Sequence, residues 1–558
     1  MQFLYAILIG ILALVILSIW KEHDIKRKLK VQLKKEWGTV PEEEYSANKF
    51  ESIKAFYKSV KDDRLDVDDI TWNDLDMDDI YMLINNTQSS IGEEYLYAIL
   101  RKPCFSKDEL EERNRLIKFF QQEEKKRILL QTSLCQVGKL STVSVYEYIK
   151  RLDEQEVKSN IPHYLMASGL LLSIMLIFIN PGLGGICTVL SVINNIYHYY
   201  MRKAKIEMYL TVFSYILRLL DSIKGILALE IPEIKTYTDT LKKDTDVFKR
   251  FKRGAGVLTS KKVSGTIMDA IADYYRMLFH ADLIKYNSSL SFIKRNRSVL
   301  NRIYITIGLL DSMTAAASFR DMMQYYCEPE LAKYRHPRLT VVDLYHPLLD
   351  SPIPNSISEE RSVLITGSNA SGKSTFIKTM ALNAILSQTI FTSISKSYQA
   401  SFFMIYSSMA LRDSLFRNES YYIVEIKSLK RILDRVNNDI PILCFIDEVL
   451  RGTNTLERIA ASSQILASLA RMNALVFAAT HDIELTHILE AAYSNYHFQE
   501  RIAESQILFD YKLYQGRAVS KNAIKLLGLL GYTQDIITKA EQSAEDFLDN
   551  GEWSKIIL

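Results

Sequence analysis

Ile365-Thr-Gly-Ser-Asn-Ala-Ser-Gly-Lys-Ser-Thr375 joins a short β-branched run, Arg361-Ser-Val-Leu-Ile-Thr366, to a helical pattern, Phe376-Ile-Lys-Thr-Met-Ala-Leu-Asn-Ala-Ile-Leu386. Gly367, Gly372, Lys373 and Ser374 fit G-x-x-x-x-G-K-[ST], so the stretch reads as strand, phosphate loop, helix. Small residues let successive backbone N–H groups wrap phosphates, and the helix N-terminus adds its positive end. Gly367, Ser368, Asn369, Ala370, Ser371, Gly372, Lys373, Ser374 and Thr375 are therefore the expected cradle of a nucleoside triphosphate. Lys373 is expected to reach the β- and γ-phosphates and Ser374 the magnesium ion.

Working outward, Pro441-Ile-Leu-Cys-Phe-Ile-Asp-Glu448 reads as an apolar strand that ends in two carboxylates. Its tip suits magnesium binding by Asp447 and general-base work on the attacking water by Glu448. A third strand, Ala474-Leu-Val-Phe-Ala-Ala-Thr480, delivers His481, which could hydrogen-bond the γ-phosphate or the water and so report nucleotide state. The catalytic set expected from these segments is Glu448, Lys373 and His481, with Ser374 and Asp447 as metal ligands and ATP with Mg2+ as cofactors.

In their details these segments resemble one family. Thr366-Gly-Ser-Asn-Ala-Ser-Gly-Lys-Ser-Thr-Phe376, Asp447-Glu-Val-Leu-Arg-Gly-Thr-Asn454 and Ala479-Thr-His-Asp-Ile-Glu-Leu485 look like the phosphate loop, the magnesium motif and the switch histidine of the MutS ATPases, in order and spacing. His346-Pro-Leu-Leu349, Ile353-Pro-Asn355 and Ser420-Tyr-Tyr-Ile-Val-Glu-Ile426 resemble that family's lead-in and signature segments, and Ser520-Lys-Asn-Ala-Ile-Lys-Leu-Leu-Gly528 its closing helical region. More loosely, Thr87-Gln-Ser-Ser-Ile-Gly-Glu-Glu-Tyr-Leu-Tyr-Ala-Ile-Leu-Arg-Lys-Pro103 and Glu109-Leu-Glu-Glu-Arg-Asn-Arg115 resemble the start of the MutS core.

The resemblance implies a C-terminal α/β P-loop NTPase domain of MutS/ABC type behind an all-α, lever-like core. It implies a homodimer formed through the ATPase domain, with Ser420 reaching the partner's γ-phosphate, and DNA as a partner. It makes Asn369 the phosphate-loop asparagine. A mismatch-reading domain is not expected. The one Phe-x-Glu, Phe498-Gln-Glu500, falls inside the ATPase region and reads as packing rather than a base wedge. ABC-like transport, or signalling to a protein partner without DNA, are the alternative functions, although Leu-Ser-Gly-Gly is absent from the signature position.

The N-terminal half adds a membrane pattern. Residues 3–19 are uncharged and run into Trp20 and Lys21, followed by Lys26, Arg27, Lys28, Lys30, Lys34 and Lys35. A second apolar block, 164–179, turns at Asn180-Pro-Gly-Leu-Gly-Gly185 and returns to Tyr200. Lys150, Arg151 and Lys158 precede it, and Arg202, Lys203 and Lys205 follow. The expectation is three transmembrane helices in an inner, multi-pass membrane protein, with lipid as a partner and the ATPase domain in the cytoplasm.

The domain reading is an anchor at 1–20, a juxtamembrane helix at 21–70, helical core at 71–161 and 203–334 around a hairpin at 162–202, the ATPase at 335–545 and a tail at 546–558. A chain of 558 residues, 48% hydrophobic, has room for two or three domains and a large core. A formal net charge of +3 leaves no global nucleic-acid footprint, although Lys242-Lys243, Lys249-Arg250, Lys252-Arg253 and Lys261-Lys262 form a local basic stretch. The five cysteines follow no metal or disulfide spacing, and the acidic run between Asp62 and Asp79 reads as helix caps and flanks.

Overall fold

The computed structural model describes residues 20–21, 23–140, 143–252, 267–368, 371–409, 421–437, 439–503, 506–518, 524, 527, 531–551, 553 and 555. Residues 3–19, Asn369, Ala370, Ser420 and most of 520–528 lie outside them. The chain divides into two compact units. One comprises residues up to Asp62 with Asp79–Arg101 and Glu111–Gln324, and the other Asp63–Asp78, Lys102–Leu110 and Tyr325–Leu558.

The first unit is helical, as expected. In chain order the helices are α1 (Ala47–Val60), α2 (Asp69–Asp74), α3 (Met77–Ile84), α4 (Ser90–Arg101), α5 (Lys107–Gln122), α6 (Glu124–Val137) and α7 (Val145–Arg151), with α2 in the second unit. Then come α8 (Ile161–Ile179), α9 (Pro181–Leu227), α10 (Lys235–Val247), α11 (Ile267–Phe279), α12 (Ala281–Arg295) and α13 (Arg297–Met322). The core is built on α4 against α13, and glycine lets each backbone meet side chains of the other helix. A Cβ on Gly92 would lie 2.2 Å from the Asp311 carboxylate, and one on Gly308 2.6 Å from Tyr95 Cβ. Asp311 is fully buried and accepts from the Ser89 N–H at 3.0 Å and the Ser89 hydroxyl at 2.6 Å, so an anion from α13 sits at the N-terminus of α4.

Helices α8 and α9 form the hairpin. Asn180 caps α9 by accepting from Leu183 N at 3.2 Å, and Pro181 occupies its first turn. A Cβ on Gly184 would meet Ile177 N at 2.4 Å, so the arms touch backbone to backbone. From Ile186 to Lys224 the sequence holds neither glycine nor proline, and α9 runs unbroken for 47 residues, past Arg202 and Lys203, until Phe213, Ile216, Leu220 and Ile223 bury in the helical core.

The second unit is α/β. Its main sheet has the order β10-β9-β4-β8-β7-β6, from β4 (Ser362–Thr366), β6 (Met404–Ser408), β7 (Ile442–Asp447), β8 (Ala474–Ala479), β9 (Tyr493–Ala503) and β10 (Gln506–Gln515). All neighbours pair in parallel except β10, which is antiparallel on one edge. Strands covered on both faces read as unbroken apolar runs, and every residue of β7 and β8 is buried. A smaller sheet, β1-β5-β2-β3, uses β1 (Glu330–Ala332), β2 (Leu339–Leu344), β3 (Asn355–Glu359) and β5 (Ser397–Ser401). Besides α2, the described helices of this unit include α14 (Lys373–Thr389), α15 (Tyr421–Leu433), α16 (Thr455–Arg471), α17 (Ile483–Ile488) and α18 (Gln534–Asn550).

Candidate active site

Three central strands bring the motif residues to one edge. Register pairs Ile365 of β4 with Ala479 of β8, and Ala479 in turn pairs with Asp447 of β7. The phosphate loop, the two carboxylates and His481 therefore leave the sheet side by side, at the carboxyl ends where open parallel sheets hold ligands. Gly367 and Gly372 take φ of +147° and +106°, which favours glycine. Space gives a second reason at Gly367, where a Cβ would approach Phe498 O to 2.8 Å. Phe498 itself is buried and packs edge-on to Phe376, with ring centroids 5.9 Å apart, as the packing reading of Phe-x-Glu expects.

Lys373 is 5% exposed, and its ammonium donates to Gly367 O and Ser368 O at 2.8 Å each. Burial pushes its pKa down, while Asp447, Glu448 and Glu500 pull the other way. Asp447 is also buried, and among the described residues its Oδ1 has no hydrogen-bond partner. An orphaned carboxylate oxygen within electrostatic reach of Lys373, the residue next to the Ser374 hydroxyl in sequence, is the chemistry a hard divalent cation needs, so the residues present fit magnesium.

Glu448 follows in the left-handed region, φ +57°. Its Oε1 accepts from His481 Nε2 at 2.9 Å, and its Oε2 is ion-paired with Arg451 Nε. Burial would raise the pKa of Glu448, but His481, Arg451 and Lys373 outweigh it and hold the carboxyl below its ordinary value. An ionised carboxylate next to a lysine and a metal-type aspartate can take a proton from water. The described residues thus bring together Gly367, Ser368, Ser371, Gly372, Lys373, Ser374, Thr375, Asp447, Glu448 and His481.

Three features of the site appear only in the folded chain, although His346, Ile353 and Asn355 belong to the lead-in segments quoted above. Arg451 lies in the Arg-Gly-Thr segment, but spacing alone does not make it the partner of Glu448. Glu500 accepts from the Ser368 hydroxyl, across 132 residues of chain. A cavity of about 340 Å³ opens beside Gly372, walled by Tyr345, His346, Ile353, Phe376 and Tyr511. Asn355 fixes one wall by donating to Tyr511 O at 2.9 Å and accepting from Leu513 N at 2.8 Å.

The sheet, loop and carboxylates define a P-loop ATPase of the ABC type. Residues 363–548 match the family description MutS domain V. MutS protein homolog 4 of Mus musculus is 33% identical over 249 residues, which is 40% of this chain and 26% of that protein. DNA mismatch repair protein MutS of Thermotoga maritima is 27% identical over 264 residues, 45% of this chain and 32% of the relative. The corresponding protein of Thermus aquaticus is 28% identical over 200 residues, 35% and 24% of the two chains. The chain spans a third or less of the length of these relatives. Residues 363–548 of the second unit are thus a MutS-type ATPase domain, a class that generally uses ATP and a divalent cation, and the described part of the first unit is helical.

Proposed function

We propose that this chain is a membrane-anchored, MutS-like ATPase that works as a dimer and couples ATP hydrolysis to DNA binding. The observation that carries the ATPase half is the meeting of the orphaned Asp447 oxygen, the Glu448–His481 pair and Lys373 at the end of three parallel strands. Asp447 and Ser374 would hold magnesium, which supplies positive charge against the β- and γ-phosphates. Lys373 gives up two backbone carbonyls to bind phosphate, and Glu448 accepts the proton of the attacking water while His481 keeps the carboxylate oriented. The aromatic cavity beside Gly372 has the size and walls for a purine base. DNA as the coupled partner is drawn from the mismatch-repair relatives, and dimerisation from the resemblance of the sequence motifs to the MutS ATPases.

The hairpin supports the membrane half. Among the described residues one helix, Ile161–Ile179, is long and apolar enough to cross a bilayer, and only 17% of its apolar window is buried. Leu172, Met175 and Phe178 on α8, and Ile186 and Leu190 on α9, are each more than 60% exposed. So much apolar surface on both arms, ending at Arg202 and Lys203, suits lipid better than water. Residues 164–179 rise about 24 Å at about 1.5 Å per residue, against a hydrocarbon core of about 30 Å, so a spanning hairpin draws the flanking cations toward the headgroups.

The test uses detergent-solubilised Glu448→Gln protein loaded with ATP. Duplex DNA should bind with an affinity that falls steeply as salt rises. Absence of DNA binding at low salt, with nucleotide bound, would remove DNA from the reading and leave a protein-signalling ATPase.

A further inference from the structure

The turn that carries Glu448 is held from three sides. Glu448 N donates to Ala479 O at 3.0 Å on β8, and Val449 O accepts from the Ser462 hydroxyl at 3.2 Å on α16. The third hold comes from Glu425 on α15, 7% exposed, whose Oε1 accepts from Leu450 N at 2.6 Å and whose Oε2 accepts from Arg451 N at 3.0 Å. Glu448 and Leu450 both have positive φ, +57° and +59°. Left-handed residues in a tight turn aim successive N–H groups into one concavity, which is an anion nest, and here the anion is a side chain of the protein itself. A second contact locks the same two elements, because a Cβ on Gly452 would fall 2.9 Å from Tyr422 Cβ of α15.

We propose that Glu425 is a positioning residue for hydrolysis, through which α15 sets the placement of the Glu448 carboxylate. The carboxylate of Glu425 occupies both N–H groups of the nest. Arg451, whose backbone it grips, is the residue whose guanidinium holds Glu448 Oε2. A displacement of α15 therefore carries the backbone of Leu450 and Arg451 with it and changes how Glu448 is held. Burial pushes the Glu425 carboxyl above its ordinary value, and the two backbone N–H groups and the Arg451 cation act against that. This inference rests on Glu448 as the general base.

The experiment is steady-state ATP hydrolysis by the full-length, detergent-solubilised protein, with binding of a fluorescent ATP analogue measured in parallel. Glu425→Ala should lower kcat by at least about tenfold and leave KM and analogue affinity within about twofold, since general-base placement is worth roughly 10²–10⁴. In a Glu448→Gln background the same change should alter the residual rate by less than about twofold, because the group it acts through is already gone. A kcat within twofold of wild type, or a loss that multiplies with Glu448→Gln, overturns the proposal. If Glu425→Ala does not fold, Glu425→Gln decides the matter. Its amide turns an N–H2 toward one of the two backbone donors, so kcat must fall at unchanged KM, and a wild-type kcat overturns the proposal. Wild-type turnover by Glu448→Gln alone would defeat the base assignment and this inference with it, whereas a slow Glu448→Gln beside a fast Glu425→Ala defeats only the positioning role.

Discussion

Lys378, on the helix that begins at Lys373, places its ammonium 2.6 Å from the carboxylate of Asp76, a residue more than three hundred positions earlier in the chain. Asp76 lies just past α2 in the left-handed region, φ +49°, and α2 belongs to the ATPase unit. Asp68 caps α2 by accepting from Thr71 N at 2.8 Å and also pairs with Arg431 at 2.6 Å. The Thr71 hydroxyl accepts from Ser407 N at 3.1 Å, on β6 at the edge of the main sheet. This acidic turn therefore covers a sheet edge whose backbone groups would otherwise be open.

Asp74 adds two further holds, accepting from the Ser407 hydroxyl at 2.6 Å and Met409 N at 3.0 Å. Asp74→Ala leaves two donors without an acceptor and should destabilise the ATPase unit by about 2–4 kcal/mol. Lys378→Ala breaks a pair whose side chains are about one-third exposed, and should cost less than about 1 kcal/mol. Hydrogen exchange at β6 and thermal melts read both; equal effects of the two changes would contradict the burial argument.

His481→Ala should shift the pH dependence of hydrolysis. The acid limb of kcat reports the base losing its charge as pH falls, and His481 is one of the groups holding the Glu448 carboxyl below its ordinary value. Without it that pKa rises, so the acid limb should move to higher pH, with nucleotide affinity little changed. An unmoved limb would mean that Glu448 is not the group titrating.

His346, on the wall of the nucleotide-side cavity, gives a second pH signature, in stability. Burial, and then the Lys378 cation, lowers its pKa to about 4 in the folded chain. An unfolded histidine titrates near about 6.5, so the unfolded state binds the extra proton first as pH falls. The contribution of His346 is fully present above about pH 6.5 and is lost progressively toward pH 4. His346→Gln should flatten the acid slope in that window, by at most about 1.4 kcal/mol per pH unit. Melting temperatures measured between pH 4 and 7 with an identical slope in both proteins would exclude His346 as the source.

The hairpin should keep the chain in the membrane. Alkaline carbonate is expected to leave the protein in the pellet, and a truncation at Lys21 should still sediment through α8 and α9. A cysteine probe belongs at Gly185, where a Cβ meets nothing within 4 Å, rather than at Gly184, where it would strike the Ile177 backbone. Labelling from the outer face is the expected result for a spanning hairpin. A soluble truncation with Gly185 inaccessible from outside would reassign the hairpin to a protein interface.

The phosphate loop was legible because its chemistry is local: a strand, two glycines, a lysine and a helix start lie within eleven consecutive residues, and the spacing by itself dictates where the N–H groups point. The same holds for Asp447, Glu448 and His481, each at or just past the tip of a short β-branched, apolar run that reads as a buried strand. The apolar arms of the hairpin were legible for the same reason, since composition and a Pro-Gly turn suffice. No periodicity marks Glu425 as the anion of a nest, Arg451 as the ion-pair partner of Glu448, or an acidic turn near residue 70 as the cover of a sheet edge. These pairings join residues from 3 to more than 330 positions apart, and each depends on which elements pack together. The unbroken length of α9 was hidden in another way. The cations at Arg202 and Lys203 mark a change of surroundings, but they are good helix formers and leave the backbone as it was, so only packing of the far end of the helix shows that the apolar arm and a core helix are one rod.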